Sequence, residues 1–136
     1  MNVVDSSAWL EYFADSPWAN NFAEAIEDIA NLIVPSITLT EVFKRILQQK
    51  SENEALVAIA HMQYGRIINL DSNLAIKAAR LGHECSLPLA DSIILATARK
   101  YQAYLWTQDQ DFQGFEEVKY FPKDSPPGSK RGKSTE

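Results

Sequence analysis

Five acidic residues stand at positions from which they could do chemistry. They are Asp5 in Val4-Asp5-Ser6-Ser7, Glu41 in Thr40-Glu41-Val42, Asp91 in Leu89-Ala90-Asp91-Ser92, and Asp109 and Asp111 in Thr107-Gln108-Asp109-Gln110-Asp111-Phe112. Clustered carboxylates repel, and near neutral pH they coexist only by retaining protons or by sharing a hard cation such as Mg²⁺ or Mn²⁺. Metal is the expected answer. Two such ions in a carboxylate pit can activate a water and stabilise the leaving oxygen of a phosphodiester, which is hydrolysis without a protein nucleophile. The chain shows no competing nucleophile motif.

These five acids can meet only if the fold gathers them. The chain has 136 residues, 46% hydrophobic and 23% charged, which suits one ordinary globular domain and disfavours collagen-like, coiled-coil and wholly disordered chains. Short apolar runs at residues 2–4, 32–34, 66–70 and 104–106 read as strands, with an edge strand expected at 118–121 because of its lysine and the following Pro122. Helical spacing or capping residues follow most of them: Asp5-Ser6-Ser7, Ser16-Pro17-Trp18, the stripe Leu39, Val42, Phe43, Ile46 and Leu47, Ser51 with Glu54, Asp71 or Ser72 ahead of a helix ending at Gly82, and Pro88 ahead of one running to Tyr101. Strands that alternate with helices and lack period-2 polarity predict an α/β fold whose mainly parallel sheet is covered on both faces.

In such sheets ligands collect outside the carboxyl ends of the strands. Asp5 follows the first strand, Glu41 lies early in the helix after the second, Asp91 begins the helix that leads to the fourth, and Asp109 and Asp111 follow the fourth directly. Each acid also has a plain structural explanation: a cap at Asp5, a capping box of Thr38 with Glu41, a helix dipole at Asp91, an Asx-turn at Asp109. Their convergence on one edge favours the functional reading. Lys44 and Arg45, one turn after Glu41, suit RNA phosphate or a salt bridge to Glu41 equally well. Trp9, Trp18 and Trp106 are expected in packing rather than base stacking, and His61 and His83 near helix ends.

The net charge of −5 argues against a general nucleic-acid binder that works by neutralising phosphate alone. Residues 122–136 are net basic, so residues 1–121 are more acidic still; that segment is rich in Ser, Pro, Gly and Lys and is expected to be a disordered tail. Cys85 stands alone, which rules out an intrachain disulfide and suits a reducing cytoplasm. The longest aliphatic run, residues 55–60, falls far short of the roughly 18 residues that cross a bilayer, and neither membrane insertion nor export is expected.

Taken together, Val4-Asp5-Ser6-Ser7-Ala8-Trp9, Thr40-Glu41-Val42, Leu89 to Ala98 and Trp106 to Phe112 resemble a PIN domain, and specifically the VapC-type toxin ribonucleases of bacterial toxin–antitoxin pairs. The resemblance covers residues 1–121 and implies a three-layer α/β/α fold with a sheet of about five strands. It further implies an Mg²⁺- or Mn²⁺-dependent endoribonuclease, a homodimer, and inhibition by a VapB-like antitoxin that places a basic residue against the carboxylates. The family's acidic quartet falls on Asp5, Glu41, Asp91 and Asp109, with Asp111 at a further acidic position that either ligates metal or holds the loop. Thr107 matches a position where a small hydroxyl residue supports the site. Two other readings remain: a catalytically inactive PIN-like adaptor that binds RNA or protein, and a haloacid-dehalogenase-like phosphatase, which needs a second aspartate where this chain has Ser7.

Overall fold

Val3 and Val4 point to opposite sides of one sheet, and both are fully buried. Val3 packs with Ile33 and Leu105 in one core, Val4 with Val34 and Trp106 in another. Successive strand residues alternate faces, so a strand covered on both sides is apolar throughout, as these runs are. The computed structural model describes residues 1–123. The expected tail lies outside the described residues from position 124 onward.

The strands are β1 (Asn2–Val4), β2 (Leu32–Pro35), β3 (Arg66–Ile68), β4 (Tyr104–Thr107) and β5 (Val118–Tyr120). They form one sheet in the order β3-β2-β1-β4-β5, and every pair is parallel. β5 is an edge strand, as its lysine predicts. The helices are α1 (Ser6–Phe13), α2 (Asn20–Glu27), α3 (Ser36–Gln49), α4 (Glu52–Met62), α5 (Ser72–Cys85) and α6 (Leu89–Lys100). Trp9, Phe22, Val42 and Met62 from α1 to α4 fill the core on one face; Leu74, Ala78, Ile94 and Leu95 from α5 and α6 fill the other. The result is three layers, α/β/α.

Local capping follows the sequence at two helices. Ser51 Oγ accepts from the Glu54 amide at 3.1 Å, and Asp71 Oδ1 from the Leu74 amide at 2.8 Å. The Thr38–Glu41 capping box does not form: Thr38 Oγ1 donates to the Pro35 carbonyl at 2.7 Å, and Glu41 is engaged elsewhere. Trp9 and Trp106 lie in the core, and His61 packs edge-on against Tyr12, Phe13 and Tyr64. No described helix is long and apolar enough to cross a membrane.

Gly82 does not end α5, which continues to Cys85 and stops at Ser86 in the left-handed conformation, φ 56°. Instead Gly82 lets α5 and α6 approach: a Cβ there would stand 2.3 Å from Ser92 Oγ, next to Asp91. Ser92 Oγ is itself held by the Pro88 carbonyl at 2.8 Å. Gly82→Ala is therefore expected to cost about 1–3 kcal/mol by overpacking. A denaturant midpoint equal to that of the parent would contradict this packing.

Candidate active site

The register between β1 and β4 builds the centre of the site. Val4 pairs with Trp106, and the Asp5 amide donates to the Trp106 carbonyl at 2.9 Å, so Asp5 and Thr107 leave the sheet side by side. Asp5 takes the N-cap position of α1 but makes no side-chain cap bond. Its Oδ2 instead accepts from Ser7 Oγ at 2.8 Å and from Thr107 Oγ1 at 2.9 Å, and it is only 3% exposed. Thr107, fully buried, also accepts from the Asp109 amide at 2.9 Å. One hydroxyl thus joins the first strand to the loop after the fourth.

Asp109 Oδ1 accepts from the Asp111 amide at 2.9 Å, opening the 3-10 turn Gln110–Phe112. The Asx-turn expected there is present, and the Asp109 carboxylate also shares a side-chain hydrogen bond with Asp91. Asp91 sits in the first turn of α6. Oxygens of Asp91, Asp109 and Asp111 all lie within 4.8 Å of one another. Asp5 adjoins this trio closely enough for its charge to act on Asp91 and for that of Asp109 to act on Asp5. Glu41 is not part of that trio: its Oε1 accepts from Ser6 Oγ at 2.6 Å, and Ser6 is the residue after Asp5. No ion pair links Glu41 to Lys44 or Arg45 among the described residues.

Electrostatics mark the pit as under stress. Burial pushes the Asp5 carboxyl up from 3.8 to about 6, helped by the Asp109 charge and opposed by the hydrogen bonds from Ser7 and Thr107. Burial, then the charges of Asp109 and Asp5, pushes Asp91 up to about 8. A divalent cation relieves such repulsion where protons otherwise must. The donors fit one: all are hard oxygens, and their 4.8 Å spread is close to the separation of about 4.2 Å at most for oxygens that share an Mg²⁺ at about 2.1 Å.

The sequence profile of the PIN domain matches residues 3–118. This chain belongs to the PIN domain family. No curated protein matches it. Among solved structures, this PIN domain is similar to a chain of a toxin–antitoxin complex from Klebsiella pneumoniae, at 26% identity and a TM-score of 0.71 over 87% of this chain and 95% of that one. It shares its fold with VapC20 of Mycobacterium tuberculosis, a toxin that cleaves the sarcin-ricin loop (16% identity, TM-score 0.67, 91% and 92% covered). It shares the fold also with a chain of VapBC2 from Rickettsia felis, solved bound to promoter DNA (14%, TM-score 0.67, 86% and 94%).

Ser6 and Ser7 are the site residues that sequence reasoning passed over, reading them only as helix caps. In this PIN domain each donates to a carboxylate instead. Their signal is the pair of hydroxyl residues directly after an aspartate that ends a strand.

Two outcomes follow for the metal-free protein. Asp5 and Asp91 have folded pKa values raised above 3.8, so each adds stability while protonated, fully below pH 3.8, and loses it as pH climbs through about 6 and about 8. With chelator present, the melting temperature of Asp91→Asn relative to wild type therefore rises steadily from pH 4 to pH 8. A constant difference across that range would refute the raised Asp91 pKa. Thr107→Val strips a donor from buried Asp5 and an acceptor from the Asp109 amide, at a cost of about 1–3 kcal/mol in urea unfolding.

Proposed function

We propose that this PIN domain, residues 1–121, is a metal-dependent endoribonuclease and the toxin of a toxin–antitoxin pair. The observation that carries the reading is the convergence of Asp91, Asp109 and Asp111 oxygens within 4.8 Å, beside buried Asp5, in a chain of this family. Asp5, Asp91 and Asp109, with Asp111, would hold Mg²⁺ or Mn²⁺. A bound divalent ion supplies Lewis-acid stabilisation of a phosphodiester oxygen and lowers the pKa of its water.

The chain's own groups do the rest. Ser6 occupies Oε1 of Glu41, which leaves Oε2 to orient a water and accept its proton. Ser7 and Thr107 lock the Asp5 carboxylate in one orientation, and Thr107 and the Asp111 amide fix Asp109. Such outer bonds set the direction of ligand oxygens before substrate arrives.

The similar structures support the biological setting: one is a toxin–antitoxin complex and another is a toxin that cleaves the sarcin-ricin loop. The proposed substrate is accordingly a structured RNA, cut in a single-stranded loop where bases can be read. The proposed partners are a VapB-like antitoxin, which sets a basic residue against the acidic pit, and a second copy of this chain. The cytoplasm is the proposed setting.

The test is incubation of total cellular RNA with purified, antitoxin-free protein and Mg²⁺ or Mn²⁺. Discrete fragments are expected, abolished by chelator and reduced roughly 100-fold or more by Asp91→Asn, since loss of an outer partner alone costs 10–100-fold. Intact RNA with folded, metal-replete protein would sink the nuclease reading for these substrates and favour an inactive adaptor.

A further inference from the structure

At the end of α6 opposite Asp91, α5 and α6 enclose a surface groove of about 390 Å³. Lys77, Arg80, Arg99 and Lys100 line it, with Glu84 as the one acid. Arg99 is paired with Glu117, but Lys77, Arg80 and Lys100 make no ion pair among the described residues. Arg66, at the start of β3, adds a further cation: its guanidinium and the Lys100 ammonium both rest on the Tyr101 ring, 5.1 and 5.6 Å from its centre. The chain as a whole carries a charge of −5, so this concentration of unpaired cations runs against its composition.

Helix electrostatics explain only part of the groove. Arg99 and Lys100 occupy the last turn of α6, where the helix dipole favours cations. Lys77 and Arg80 lie inside α5, away from both ends, where neither dipole nor cap accounts for them. They are exposed and face the same groove as the α6 pair.

We propose that this groove anchors the phosphate backbone of a folded RNA, remote from the carboxylates. The inference rests on the nuclease reading. Lys100 stands nine positions along α6 from Asp91, about 14 Å along the axis, so an RNA helix or loop stem reaches both while a very short strand reaches one. An acidic pit repels a polyanion, and a cationic surface elsewhere on the same molecule offsets that repulsion and raises the rate of encounter. The free cations are spread over α5, α6 and the start of β3, which suits the repeated charges of a backbone crossing the helices. Phosphate contacts of this kind set position and leave sequence choice to the groove around the cut.

The test uses full-length protein carrying Asp91→Asn with Mg²⁺, so that RNA stays whole. Fluorescence anisotropy measures its binding to labelled tRNA and to a six-nucleotide RNA from about 50 to 300 mM salt. Adding Lys77→Gln and Arg80→Gln is expected to weaken tRNA binding roughly tenfold at the lowest salt and to flatten the slope of log K against log salt by about 1.5 to 2. Hexanucleotide binding stays unchanged. Lys50→Gln with Lys123→Gln, which removes the same charge elsewhere, shifts the tRNA slope by less than half as much, and melting curves confirm that each variant folds. An unchanged tRNA affinity and slope overturns the anchor and leaves the nuclease reading standing. Loss of binding to a poly-glutamate peptide with tRNA binding intact also overturns it, assigning the groove to an acidic protein segment. A parent protein that binds no RNA overturns both.

Discussion

Everything at the acidic edge depends on the parallel pairing of β1 with β4. Because both strands run the same way, both end at the same edge, and the register that sets Val4 against Trp106 delivers Asp5 and Thr107 as neighbours although about a hundred residues separate them. An antiparallel pair would send the two residues to opposite edges. The crossover through α6 brings a third acid to that edge, because the helix leading into β4 begins where the preceding strands end.

Gathering negative charge in this way opposes folding, and the chain answers with hydroxyls rather than with cations. Ser6, Ser7 and Thr107 each donate to a carboxylate, and among the described residues no lysine or arginine forms an ion pair with any of the five acids. A cation side chain in the pit would lower the local pKa values and compete with a metal for the same oxygens. Neutral donors orient the carboxylates while leaving their charge unspent.

Most of the architecture was legible because its signals are local. Val3-Val4, Leu32-Ile33-Val34 and Tyr104-Leu105-Trp106 are apolar on both faces and end at capping or turn residues, which marks buried parallel strands, and the acids after them are placed by that fact alone. What escaped depends on contacts between distant segments. Gly82 looks like a helix stop until Ser92 is seen against it, and Thr38 looks like half of a capping box until the Pro35 carbonyl claims its hydroxyl and Ser6 claims Glu41. The Asx-turn at Asp109 is a local signal, but that it opens a 3-10 turn which positions Asp111 follows only from the bond between the two.

The central place of β1 has a consequence for how the molecule comes into being. This strand is made first, yet one of its two neighbours, β4, is made about a hundred residues later. Closing so long a loop is slow, and contacts of such sequence separation form late in folding. During synthesis β1 can pair with β2 while its other edge stays open, and Asp5 has neither Thr107 nor Asp109 beside it until residues 104–111 have left the ribosome. The acidic centre is thus absent from every shorter nascent chain. Any activity that resides there begins only with the arrival of β4.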